Sequence, residues 1–248
     1  MGNGEVGGDT CRLREEGMRL LRRLLDVVAP RQCCVCGRRL AIDEEMMCAA
    51  CNLHLPRTSF SAHAYDNPMA RLFWGQIPVM RAASWIYFEP HGEVASMIYR
   101  LKYGGHPEYG YLLGQFLAED FAEDGFFDGI DAVVPVPIAK NRLNRRGYNQ
   151  SEYIAKGIAE ATGLPVRTDI VKRREFRESQ TQKNWWERHG NVENAFSLRN
   201  GEAACGKHLL VVDDILTTGA TVLSCSRELC RAADVRISIA CIGFAGKK

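Results

Sequence analysis

Residues 208–221 read HLLVVDDILTTGAT, and this stretch constrains the fold more than any other part of the chain. An apolar run, Leu209 to Val212, that ends in Asp213 and Asp214 predicts a buried strand carrying two carboxylates at its carboxyl edge. Neighbouring carboxylates repel each other and need partners. The residues that follow, Ile215, Leu216, Thr217, Thr218, Gly219, Ala220 and Thr221, read as a loop running into a helix. Hydroxyls and the free N–H groups of a helix start bind a phosphate without any cationic side chain. Gly219 permits close backbone approach or a positive φ. The acids are then explained as acceptors for vicinal hydroxyls such as those of a ribose, and the ligand implied is a ribose 5-phosphate group.

Such a site sits outside the carboxyl ends of the strands of an open α/β sheet. The rest of the chain fits that class. Strands are predicted over 81–88, 131–136, 208–212 and 235–242, and helices over 92–103, 109–124, 151–161 and 221–233. Their alternation argues a mostly parallel sheet flanked by helices. Residues 58–80 carry few signals, and 172–195, polar, basic and aromatic, read as a mobile loop. Near the start, apolar residues between 10 and 29 recur at helical spacing, which predicts an amphipathic helix stopped before Pro30 after a disordered opening. The formal net charge is only +2, so any case for nucleic-acid binding must be local. No apolar run of transmembrane length and no signal peptide is evident, which predicts a cytoplasmic protein.

Five of the ten cysteines fall between residues 33 and 51. Cys33 and Cys36, then Cys48 and Cys51, form two C-x₂-C pairs separated by 11 residues. Four thiolates spaced in this way surround one structural Zn²⁺ and leave no open coordination position. Cys34 and His54 lie close enough in sequence to replace one of the four, so the ligand set stays open at this point.

Residues 133–146, VVPVPIAKNRLNRR, place Lys140, Arg142 and Arg146 just beyond a strand end, where a basic turn could meet a pyrophosphate. By contrast, Gly201 to His208 nearly matches a phosphate-binding G-x-x-x-x-G-K-[ST] motif. His208 replaces the required hydroxyl and the segment precedes a strand, so it reads as a turn.

These residues carry a resemblance. VVDDILTTGAT is similar to the phosphoribosyl pyrophosphate (PRPP) motif of type I phosphoribosyltransferases. The combination of the two C-x₂-C pairs, Leu101-Lys102-Tyr103-Gly104, Val-Pro-Val-Pro at 134–137 and Arg146-Gly147-Tyr148-Asn149-Gln150 resembles the ComF family over about residues 18–244. A loop with Arg173, Gln180-Thr181, Arg188 and Ala195-Phe196 belongs to the same pattern, while Trp185-Trp186 depart from it.

The resemblance implies an α/β chain of the type I phosphoribosyltransferase fold with a small N-terminal zinc-binding domain. Its parts would be a disordered start and helix (1–30), a zinc ribbon (31–57) and a phosphoribosyltransferase-like domain (58–248) whose hood spans about 58–103. It implies that Asp213 and Asp214 are catalytic and bind PRPP. With them would act residues 215–221 together with Lys140, Arg142 and Arg146. Arg173, Gln180 and Arg188 would belong to a flexible loop, and Mg²⁺ would accompany PRPP. Transfer of phosphoribosyl to an unknown acceptor is one function implied. The other is handling of single-stranded DNA with competence proteins, at the inner face of the membrane through those partners.

Overall fold

The structure, a computed structural model, describes residues 29–174 and 195–246. The helix predicted over 10–29 therefore lies outside the described residues but for its end, as do Gln180, Trp185, Trp186 and Arg188. The chain divides into two compact units, Met1–His54 and Leu55–Lys248.

In the first unit, Gln32 bridges Arg39 in antiparallel register, and the turn between them closes through Cys33 N–H to Arg38 O (2.7 Å) and Gly37 N–H to Cys33 O (2.9 Å). Gly37 adopts φ +73°, the left-handed geometry such a knuckle needs. Helix α1 (Ala49–Leu53) starts at Cys48. Glu44 ties the parts together by accepting Ala41 N–H and Ala49 N–H, each at 2.7 Å. Among the described residues of this unit the buried apolar ones are Cys33, Cys34, Leu40, Met46, Met47 and Cys48.

The second unit begins at Leu55, because Tyr87 N–H bonds Pro56 O (2.8 Å), Arg57 bridges Ile86, and Arg57 Nε lies 2.6 Å from Asp120 Oδ2. Its centre is a four-stranded sheet of β1 (Val79–Tyr87), β2 (Ala132–Pro135), β5 (His208–Leu216) and β6 (Arg236–Phe244), in the order β1-β6-β5-β2. Every pairing is parallel. Along β6 only the first residue escapes burial, the mark of a strand covered on both faces.

Helices α2 (Ala95–Tyr103), α3 (Pro107–Ala122), α4 (Lys140–Arg146), α5 (Gln150–Thr162) and α6 (Ala220–Leu229) complete the unit. Helices α3 and α5 meet backbone to backbone. A Cβ added at Gly114 would collide with the Ile154 carbonyl oxygen, and one at Gly157 with that of Tyr111. The short strands β3 (Val171–Arg173) and β4 (Phe196–Leu198) pair antiparallel apart from the main sheet.

Two readings of local structure change. Lys140–Arg146 is a helix and not a turn: Lys, Arg and Leu favour helix, and Gly147, at φ +82°, ends it in the left-handed region. Strand β5 does not stop at Val212. It continues through both aspartates to Leu216, because β6 runs alongside as far as Phe244.

Candidate functional site

The last residue of β2 to pair with β5 is Pro135, opposite Val212. Beyond that point β5 is paired only with β6 among the described residues, so Asp213 and Asp214 lie in a notch at the carboxyl end of the sheet. Asp213 Oδ1 accepts the Ser151 hydroxyl and the Asp214 N–H, each at 2.9 Å. Asp214 Oδ1 accepts Ile215 N–H at 2.6 Å, and its Oδ2 lies 3.2 Å from Lys102 Nζ. Burial raises the Asp213 carboxyl above the usual carboxylate range, and the charge of Asp214 raises it further. The Asp214 N–H, Ser151 and Lys102 oppose the shift.

A concave loop follows, lined by Asp213, Ile215, Leu216 and residues 217–222. Thr217, Thr218 and Ala220 are exposed while Gly219 is buried. Gly219 precedes α6 at φ +77°, and an added Cβ would press on Phe73 at 3.3 Å. The loop thus needs glycine twice, for conformation and for space. Phe73 itself is held by the preceding turn. There Asn67 Oδ1 accepts Met69 and Ala70 N–H, while its Nδ2 donates to His63 O and Ala82 O. Ahead of α6, the first N–H groups of the helix lack intrahelical partners, as an anion site requires.

Among the basic residues, Arg173 is brought within electrostatic reach of both Asp213 and Arg142: burial lowers its pKa, the Arg142 charge lowers it further, and Asp213 opposes both. Its guanidinium lies 5.2 Å over the Phe196 ring. Arg146 turns elsewhere, with Nη1 donating to Gln150 Oε1 (2.7 Å) and its guanidinium 5.2 Å over the Tyr103 ring. Lys140 starts α4. Gln180 and Arg188 lie outside the described residues.

The Arg146–Ser151 segment is a hub between the motifs. Tyr148 Oη donates to Leu101 O (2.5 Å), Asn149 Nδ2 donates to Val136 O (3.1 Å), and Ser151 reaches Asp213. Lys102 and Ser151 are the site residues that sequence reasoning missed. Lys102 lies within Leu-Lys-Tyr-Gly and Ser151 directly follows Arg-Gly-Tyr-Asn-Gln, but neither motif signals a contact with the acids.

In the first unit, the Sγ atoms of Cys33, Cys36, Cys48 and Cys51 all lie within 4.8 Å of one another. The Cys36–Cys48 separation is 3.8 Å, and four thiolates about 2.3 Å from a tetrahedral zinc would stand about 3.8 Å apart. Burial works to raise the Cys48 thiol, but hydrogen bonds from Cys51 and Arg38 outweigh it and bring it to about 6. His54 instead has Nδ1 on Ala50 O at 2.7 Å, and Cys34 is not in the cluster. The cluster therefore fits a structural metal ion.

A parallel sheet with helices, an acid pair at the carboxyl end of a central strand, and a Thr/Gly loop opening the next helix together constitute the type I phosphoribosyltransferase fold. No protein-family model matches the chain. It is 26% identical over 226 residues to the DNA utilization protein YhgH of Escherichia coli K12, covering 87% of this chain and 98% of that one. It is 33% identical over 100 residues to Competence protein F of Haemophilus influenzae (40% and 44% covered). Over 123 residues it is 33% identical to Competence protein ComFC of Streptococcus pneumoniae (50% and 50%). Similar solved structures include the allosteric regulatory enzyme of purine biosynthesis (25% identity, 52% of this chain and 25% of that one, TM-score 0.36). Another is an adenine phosphoribosyltransferase (17%, 57% and 71%, TM-score 0.35).

Proposed function

We propose that this chain, which belongs to the ComF family, binds PRPP at the notch of β5 and transfers its phosphoribosyl group to an acceptor. The observation that supports this reading most is the juxtaposition of the acid pair with the Thr/Gly loop. The loop and the start of α6 take the 5-phosphate, with Thr217, Thr218 and Thr221 supplying hydroxyls. Asp213 and Asp214 accept the ribose hydroxyls, and Arg142 and Arg173 face the pyrophosphate. Mg²⁺ carried by PRPP would supply charge neutralisation at the pyrophosphate, which would make it a better leaving group. An acceptor nitrogen then attacks C1, the C1–O bond breaks with its electron pair going to pyrophosphate, and the nitrogen loses its proton. The residues contribute by positioning and by stabilising positive charge at C1.

Calorimetric titration tests the reading. Asp213→Ala combined with Asp214→Ala should abolish Mg²⁺-dependent PRPP binding, by roughly 100-fold or more, while leaving the fold intact by circular dichroism. Unchanged affinity in the double variant would sink it.

The first unit is proposed to bind structural Zn²⁺ through Cys33, Cys36, Cys48 and Cys51. Chelator treatment should release one zinc per chain and unfold this unit; a chain purified without zinc yet equally folded would refute that.

A second reading, binding of single-stranded DNA, has its own support. Tyr99 and Tyr103 are exposed and stacked, with centroids 6.4 Å apart, and Arg145 and Arg146 lie 5.9 and 5.2 Å over Tyr103. Aromatic faces interleaved with arginine suit stacked bases, and relatives are named for competence and DNA utilization. Tyr99→Ala with Tyr103→Ala should weaken a labelled oligonucleotide at low salt by about 10-fold or more. No affinity in the unaltered protein would reject this reading. Among the described residues, no helix is long and apolar enough to cross a membrane.

A further inference from the structure

Lys102 lies more than a hundred residues from the strand–loop–helix element that carries the acids, yet its Nζ stands 3.2 Å from Asp214 Oδ2. Both side chains are mostly buried, with 20% and 13% exposed. The other hydrogen-bond donors named at the pair are neutral: the Ser151 hydroxyl and the N–H groups of Asp214 and Ile215. Two carboxylates in a sheltered notch hold one negative charge, or two once Asp213 ionises, and the hydroxyls of a ribose would neutralise neither. Arg173, the cation within reach of Asp213, makes no ion pair with it among the described residues. Among the described residues, Lys102 is thus the cation that faces the pair directly.

Its placement is built in. Lys102 sits in the last turn of α2, where Tyr148 Oη bonds the adjacent Leu101 O. Tyr103, on its other side, lies beneath Arg145 and Arg146. Directly afterwards the chain turns through Gly104, where a Cβ would stand 2.7 Å from Arg100 O, and Gly105 at φ +70°. The lysine is therefore aimed by the scaffold and does not reach the acids from a loose surface position.

We propose that Lys102 is a built-in counter-ion that positions Asp214, so that the acid pair holds the hydroxyls of a ribose 5-phosphate without a divalent cation. The proposal rests on the ribose-phosphate reading of the site. It separates two roles of cations: Mg²⁺ serves the pyrophosphate of PRPP, whereas the ribose end is served by the protein itself.

The test titrates the full chain with ribose 5-phosphate, in buffer without added divalent cation and in millimolar Mg²⁺. The unaltered protein should bind equally in both. Lys102→Met should lose about 10-fold or more without Mg²⁺ and regain most of that loss when Mg²⁺ is added. Lys102→Arg should keep cation-independent binding. Mg²⁺ rescue is a response that a mere packing defect would not show. If Lys102→Met binds normally without Mg²⁺, or loses affinity that neither Mg²⁺ nor Lys102→Arg restores, the proposal is overturned. Strict Mg²⁺ dependence of the unaltered protein also overturns it, with the ribose-phosphate reading intact. Absence of any ribose 5-phosphate or PRPP binding removes that reading, and the proposal with it.

Discussion

The two ends of β5 differ in how completely their polar groups are matched. At its start, His208 N–H donates to Asp131 Oδ2 (2.8 Å) and Asp131 N–H returns a bond to His208 O (2.8 Å). The buried imidazole is used on both sides. Nδ1 faces Gly129 O at 3.1 Å and so carries the proton, while Nε2 accepts from the Ser238 hydroxyl at 2.8 Å. Lys207 then pairs with Asp131 at 3.4 Å. At its finish, two acids share one ion-paired lysine, Lys102. Nearby, Arg146 Nε, Asn149 Oδ1 and Gln150 Nε2 find no protein partner among the described residues. A matched end contributes stability, whereas an unmatched end keeps interactions in reserve for a ligand. One strand thus divides its two duties along its length.

Substitutions at the two ends should separate those duties. The largest effect on stability is expected for His208→Ala. It opens a cavity and strands Ser238, at a cost of roughly 2–4 kcal/mol. Scanning calorimetry should show the melting temperature falling by roughly 4–16 °C, with PRPP affinity unchanged; a matching loss of affinity would break the division between the ends.

At the other end, Asp213→Asn should stabilise the ligand-free protein. Burial, and then the charge of Asp214, push the folded Asp213 carboxyl up to about 7. Its protonated form is therefore favoured by folding, and that stability is lost as pH rises from the ordinary carboxylate range through the folded value. The Asn variant, which cannot ionise, should melt several degrees higher than the unaltered protein at pH 8 and equally at pH 4. A pH-independent difference would contradict the burial argument.

The smallest effect is expected for Tyr148→Phe. Loss of one hydrogen bond to Leu101 O should cost about 1 kcal/mol. A modest weakening of ribose 5-phosphate binding should accompany it, because the turn that aims Lys102 is loosened. Stability loss with no change in binding would show that Lys102 is held by Gly104 and the Arg145–Tyr103 stack instead.

What the sequence disclosed followed from how near in the chain the interacting parts are. The strand, acids, loop and helix of 208–229 were legible because each signal lies within a few residues of the next. The same holds for the two C-x₂-C pairs. The helix at Lys140–Arg146 was also written locally, in its composition and in Gly147, but its charge suggested a turn. The extension of β5 through the aspartates was not readable, since it depends on β6 lying alongside. Strands β3 and β4 are too short to show a period. Lys102 and Ser151 reach the acids across 112 and 62 positions, and no local pattern encodes such a contact.

The crossing of α3 and α5 has an evolutionary corollary. Because main chain touches main chain at Gly114 and Gly157, no single substitution at either position is a small step: even alanine requires the two helices to separate. Overpacking of this kind costs about 1–3 kcal/mol. Any variant that keeps the crossing of α3 and α5 must therefore keep both glycines.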